Sequence, residues 1–329
     1  MIVVRKSCSL RSNNFFFSRV LNYNNSLHIH TLLNDPTMAN YINSTHTIIM
    51  AALSTLPSSH LSHLTHSIST VFHHHLRRLS ALLSSPTLFS LTLRHLHSLS
   101  LHHKSLLIAR HLLSSLTLLK HFMQNNGPET PPPLLYSAAC MRLRDLDAVL
   151  LLLLLCELHQ HDRELLDSPP SSWRAILCDY VSKSMLRLSS FGGCSSGEVL
   201  IQYIESVGRS WNLVNVMGLI GGGGEGKEGR EAAASVAAVV ALPTVEASGG
   251  GECVICKEEM KKGREVCELP CRHMFHWMCI LRWLKKRNTC PCCRHRLPTD
   301  DVRREIDRLL EDFAKIGGGA GGGSNREWL

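Results

Sequence analysis

Six cysteines and two histidines between positions 253 and 293 constrain this chain more than any other feature. They run Cys253-x2-Cys256-x14-Cys271-x-His273-x2-His276-x2-Cys279-x10-Cys290-x2-Cys293. A structural zinc ion takes four tetrahedral nitrogen or sulfur ligands, so eight ligands fill two closed sites. Two residues between paired cysteines let one tight turn aim both sulfurs at one metal. The gaps of fourteen and ten residues leave room for a loop and a short helix. Unrelated thiols do not fall into four ligand pairs at such spacings.

At these residues the chain resembles the RING-H2 domain of ubiquitin ligases. Between the ligands, Leu269-Pro270-Cys271 leads into His273-Met274-Phe275-His276, then Cys279-Ile280-Leu281-Arg282-Trp283-Leu284, and Cys290-Pro291 with Cys293-Arg294 closes the pattern. The resemblance implies a cross-brace holding two zinc ions. Cys253, Cys256, His276 and Cys279 take the first, and Cys271, His273, Cys290 and Cys293 the second. It implies partners as well, a ubiquitin-conjugating enzyme (E2), ubiquitin and a protein substrate. Ile255, Trp283 and Pro291 match the family's apolar patch for the conjugating enzyme. Arg294 matches the position whose guanidinium bridges that enzyme and ubiquitin, a task suited to a planar, multidentate donor. The activity implied is transfer of ubiquitin to substrate lysines with no covalent intermediate on this chain.

Two spare thiols leave alternatives open. With Cys267 as a ligand and His273 unused, the order resembles a PHD finger, a histone-tail reader. Against that stand Asn288, where such fingers carry an aromatic residue, and the RING-like Ile280, Trp283 and Pro291. Cys292 adjoins ligand Cys293, where a Cys-x-Cys turn with Cys290 is the poorer geometry, and it reads as a non-ligand. A zinc-dependent scaffold that assembles partners without transferring ubiquitin is the remaining alternative.

Charge is unevenly spread. Residues 1–128 hold ten Lys/Arg and one acid, Asp35, and the remainder is nearly neutral. Such a basic third suits targeting or an anionic membrane surface. Its bases are scattered, which disfavours nucleic acid. Eight of the thirteen cysteines lie between 253 and 293 and the rest are far apart, as expected of zinc thiolates and isolated thiols in a reducing, intracellular compartment. The longest apolar run, Ala148–Cys156, has nine residues, too few to span a bilayer.

The whole chain reads as mostly α. Residues 1–46 are expected to be a disordered leader or transit segment, basic at Arg5, Lys6, Arg11 and Arg19. Residues 47–219 are expected to form an all-helical domain. Leucines recur there at helical spacing, and Ser84-Ser85-Pro86 separates two helices. Asn125-Asn126-Gly127-Pro128 and Pro131-Pro132-Pro133 mark a loop. His73-His74-His75 point around a helix rather than to one face, so they read as solvated histidines. Arg142, Arg144, Asp145 and Asp147 read as helix-surface charges, and Glu198–Gly208 as a short helix. Residues 220–250 are a Gly-rich linker containing a short Ala/Val helix. Residues 251–297 are the zinc domain, a short β-hairpin plus one helix. Residues 298–316 form a C-terminal helix capped by Thr299, and 317–329 a disordered tail.

Outside the zinc domain, Ala51–Leu56, Leu79–Leu91, Leu143–Val149 and Ala233–Pro243 are similar to plant amyloplast-associated ubiquitin ligases of shoot gravitropism. That resemblance implies peripheral attachment to starch-storing plastids, with the zinc domain facing the cytosol, and a role in gravity sensing. The alternative location is the cytoplasm.

Overall fold

The computed structural model describes residues 36–124, 141–162, 169–190, 196–220, 232–247, 249 and 251–318. Most of the leader, the Asn125–Pro133 loop, the glycine run of the linker and most of the tail lie outside these residues. The chain forms two compact bodies. Of the described residues, those up to 220 with 309–318 make a helical body, and those from 232 to 308 make the zinc-domain body.

The helical body contains α1 (Pro36–Leu53), α2 (Ser58–Ser84), α3 (Pro86–Ser98), α4 (Leu101–Gln124), α5 (Leu143–His161), α6 (Pro170–Ser190) and α7 (Ser196–Ile220). Ser85 is extended and separates α2 from α3. Its Oγ accepts the Leu88 N–H at 3.3 Å, and Pro86 fills a first-turn position whose N–H would be unsatisfied anyway. Helix α2 buries Leu64, Ile68, Leu82 and Leu83 and leaves His63, His66, His73 and His74 exposed, the 3.6-residue pattern of an amphipathic helix. Helix α7 outruns the short helix expected at Glu198–Gly208. Past Gly208 the buried Trp211, Val214 and Met217 prolong the stripe begun by Ile204 and Val207. It packs against α4, α1 and α2, and α5 packs against α2, α3 and α4.

Three expectations for this body need correction. The helices begin at Pro36, inside the 1–46 stretch expected to be a disordered leader or transit segment. Asp147 is not a surface charge, being only 4% exposed. Helix α5 is buried nearly all round, with Leu146, Ala148, Val149, Leu151 and Leu152 inside. The Asp147 carboxylate is satisfied instead by Arg78 of α2, which donates from Nε at 3.0 Å and from a terminal nitrogen at 2.6 Å. His75 is not solvated like its two neighbours. It is half-buried, its ring centroid 5.2 Å from that of His111 on α4.

The zinc-domain body begins with α8 (Val236–Val240). Strands β1 (Thr244–Glu246), β4 (Glu265–Glu268) and β5 (Met274–Phe275) form an antiparallel sheet in the order β1-β4-β5, and β2 (Gly251–Glu252) and β3 (Glu259–Met260) form a hairpin. Helix α9 (Trp277–Leu284) follows β5. The sheet reaches upstream of residue 251, because Thr244 pairs with Cys267 and Glu246 with Glu265. The Ala234 N–H donates to Leu284 at 2.9 Å and the Ser235 N–H to Pro298 at 2.8 Å. The Ala/Val stretch is therefore stitched onto the zinc domain. Val266, Leu269, Phe275, Ile280, Leu284 and Leu297 are its core. Each such side chain, taken out of water, stabilises the body by roughly 1.5–3 kcal/mol.

Helix α10 (Val302–Gly318) starts later than expected, and its cap is Asp301 rather than Thr299. Asp301 Oδ1 accepts the N–H groups of Arg303 and Arg304 at 3.1 and 3.3 Å, while Thr299 Oγ1 accepts only the Asp301 N–H. A carboxylate at a helix N-terminus is the stronger acceptor and also meets the positive end of the dipole.

Candidate metal centre and its surroundings

The turns that carry the ligands are built alike. Lys257 N–H donates to the Cys253 carbonyl at 2.7 Å, and Arg294 N–H to the Cys290 carbonyl at 3.0 Å. Cys253 N–H then donates to Glu258, and Cys290 N–H to His295. Three non-glycine residues lie in the left-handed region, Lys257 at φ 60°, Arg272 at 63° and Arg294 at 59°. Each immediately follows a ligand cysteine. This conformation costs a residue with a Cβ roughly 1–3 kcal/mol and persists only where the surroundings over-determine it. Here it closes each knuckle so that its sulfur atoms face inward.

These turns bring the eight residues into two quartets. Cys253, Cys256, His276 and Cys279 lie together, as do Cys271, His273, Cys290 and Cys293, with the ligand atoms of each set all within 4.8 Å of one another. His276 Nδ1 is 3.3 Å from Cys256 Sγ, and His273 Nδ1 is 3.4 Å from Cys271 Sγ, so Nδ1 is the inward nitrogen of both rings. The first pair of one quartet is followed by the first pair of the other, the interleaving of a cross-brace.

The donor chemistry suits zinc. Burial pushes the Cys271 thiol up to about 12 and Cys279 up to about 11, with neighbouring sulfurs adding to both. Burial pushes Cys253 up as well, but backbone hydrogen bonds from His276, Ile255 and Cys256 hold it below the usual thiol range. The His295 backbone does the same for Cys293. Each quartet thus joins crowded thiols to one whose charged form backbone hydrogen bonds favour. A divalent cation held by each quartet would turn that crowding into attraction and favour the thiolate form of its cysteines.

Cys267 belongs to neither quartet. It sits fully buried in β4, between Thr244 of β1 and Phe275 of β5, and burial raises its thiol to about 11. The PHD-like ligand order is thereby set aside. Cys292 is exposed and also outside both quartets.

Ile255 and Trp283 are half-buried and pack against the core of this body; Pro291 is half-buried and Arg294 exposed. The Trp283 indole N–H donates to the Thr289 carbonyl at 2.7 Å, which fixes the plane of the ring. The Arg287 guanidinium stands over that ring, 4.7 Å from its centroid, a cation–π contact that sequence reasoning missed. Arg287 lies three residues past the end of α9, where its N–H donates to the Trp283 carbonyl at 2.9 Å, a turn that local pattern does not mark.

Comparison with known proteins fits this geometry. The Ring finger domain family matches residues 251–294. The chain is 53% identical over 280 residues to the E3 ubiquitin-protein ligase SGR9, amyloplastic, of Arabidopsis thaliana, covering 82% of this chain and 95% of that protein. It is 49% identical over 73 residues to the E3 ubiquitin-protein ligase RNF181 homolog of Drosophila melanogaster, which is 21% of this chain and 50% of that one. It is 54% identical over 54 residues to the E3 ubiquitin-protein ligase AIP2 of Arabidopsis thaliana, 16% of this chain and 17% of that one. The two short matches have the size of a zinc domain, whereas one of 280 residues must take in much of the helical body. Related across four-fifths of its length, and with both quartets assembled, the chain belongs to the RING-H2 family of E3 ubiquitin-protein ligases.

Proposed function

We propose that the two quartets are the zinc ligands, and that Ile255, Trp283 and Pro291 dock the charged conjugating enzyme while Arg294 orients its ubiquitin. Ligase activity, two zinc ions, and the conjugating enzyme and ubiquitin as partners follow from the family. Zinc held by the two quartets would tie together turns that are far apart in sequence. The chain's own residues supply position. Thr289 holds the Trp283 ring, and the left-handed turn at Arg294 holds its backbone beside the second quartet. Transfer gains through orientation, since fewer unproductive poses of the ubiquitin tail compete with attack by a substrate lysine. The assembly of both quartets at interleaved turns is the observation that carries this reading. Ubiquitin discharge from a panel of conjugating enzymes tests it, and discharge at the unstimulated rate with every one would leave the scaffold alternative standing.

We further propose that the protein works at the plastid surface, peripherally attached, with the zinc domain in the cytosol and no nucleic-acid partner. A relative across 95% of its length is named amyloplastic, and no described helix is long and apolar enough to cross a membrane. Ubiquitin and its conjugating enzymes operate in the cytosol, so a ligase held inside the organelle would lack its partners. The role in shoot gravity response rests on the same resemblance. Protease treatment of intact plastids should remove the zinc domain, and its protection would refute surface placement.

A further inference from the structure

The helical body holds a cavity of about 890 Å³ that none of the ubiquitin chemistry uses. One wall is Phe72, Leu76 and Leu79 of α2, and another is Leu150 and Leu153 of α5. All five are only half-buried and line the same space, which their side chains leave open. His75 of α2 and His111 of α4 also line it. Their rings lie 5.2 Å apart, and among the described residues neither ring nitrogen pair takes a hydrogen bond. Burial lowers His75 to about 3 and His111 to about 4, so both are neutral imidazoles at physiological pH, each offering one donor and one acceptor. The cations on the lining are already engaged, Lys183 by Asp179 at 2.7 Å and Arg209 by Glu205 at 3.8 Å. Both pairs are exposed, and the carboxylate of Glu157 on the same lining disfavours an anion, whose burial unpaired is costly.

We propose that this cavity binds an uncharged, ring-bearing small molecule that carries a hydroxyl or N–H group, with its apolar body between α2 and α5 and its polar group on the His75–His111 pair. The size and the balance of apolar wall to few polar groups are those of ligand sites, which typically occupy about 300–1,000 Å³. Phe72, His75, His111 and Tyr203 bring four ring side chains to the lining, which suits a ring-bearing ligand.

The test uses the full-length, zinc-loaded chain and calorimetric titration with 2-naphthol, a flat apolar body with one hydroxyl. Binding at one site per chain is expected, with naphthalene-2-sulfonate, the same ring bearing a charge, at least tenfold weaker. His111→Phe keeps a ring of similar size and removes both nitrogens; it should weaken 2-naphthol at least fivefold. Leu153→Trp and Leu79→Phe each fill part of the space and should weaken 2-naphthol at least fivefold while circular dichroism stays unchanged. If one filled variant fails to fold, the other decides. If both fail, His111→Phe decides. No binding by the wild type up to the solubility limit, equal affinity for the sulfonate, or undiminished binding in a folded, filled variant would each overturn the proposal.

Discussion

Truncating Trp283 should separate docking from folding in the zinc domain. In the fold, Trp283→Ala removes the 2.7 Å bond to Thr289 and the Arg287 contact at 4.7 Å. Those losses are about 1 kcal/mol for the hydrogen bond, roughly 0.5–1 kcal/mol for an exposed cation–π pair, and about 1.5–3 kcal/mol for the half-buried ring's packing against the core. A structural zinc site contributes on the order of 10 kcal/mol or more, so the variant should keep both ions and stay folded. At a docking surface, losing an aromatic anchor commonly costs about 2 kcal/mol or more, roughly a thirtyfold fall in affinity. Arg287→Ala removes the cation–π contact and should weaken binding by about two- to fivefold. Arg294→Ala should bind the conjugating enzyme almost normally and discharge its ubiquitin at least tenfold more slowly, roughly 1.4 kcal/mol in the barrier. Three readouts decide the matter: zinc by elemental analysis, affinity by titration with the conjugating enzyme, and single-turnover discharge. Release of zinc by Trp283→Ala would make that residue a core element rather than an anchor. Full affinity and discharge in a folded Trp283→Ala chain would place the transfer surface elsewhere.

Two other outcomes follow from the geometry. Elemental analysis should find two zinc ions per chain. His273→Ala should lose the second, while Cys267→Ser, which alters a buried thiol outside both quartets, should keep both; the opposite pattern would invert the ligand assignment. In the helical body, Asp147→Asn should lower stability by about 2–3 kcal/mol in urea denaturation. The carboxylate is 5% exposed, but the guanidinium of Arg78 is 27% exposed, which keeps the cost at the lower end for a broken buried pair. A change below about 0.5 kcal/mol would show that water replaces the pair at no cost.

The zinc quartets were legible because a metal site is a short list of donors at fixed spacing, and spacing is what a sequence displays. Strand pairing is not displayed that way. Thr244–Glu246 is three residues long and carries no alternation that marks it as a partner of Glu265–Glu268. What placed it there is the apolar contact of Leu242 and Val245 with the zinc-domain core, a long-range packing term. The same limit explains Asp147 and His75. Local pattern assigns a charged or polar residue to the solvent face, and it holds for His73 and His74, which remain exposed. It fails where a second helix covers that face. Helix α2 does so at Asp147 and supplies Arg78, and α4 does so at His75 and supplies His111.

That failure has a consequence for how the two bodies should respond to substitution. In the zinc domain, ligand geometry fixes the turns, and the left-handed residues Lys257, Arg272 and Arg294 are strained positions maintained by the knuckles. Glycine at Lys257 or Arg272 would relieve that strain without touching a donor atom. In the helical body, order depends on polar groups that meet only after the helices pack, and an unpaired partner left behind there costs more than the bond itself contributed. A buried carboxylate with one guanidinium partner has no local substitute. The chemistry of ubiquitin transfer therefore rests on turns that a sequence displays as ligand spacing, and the unused cavity lies among helices whose contacts a sequence does not display.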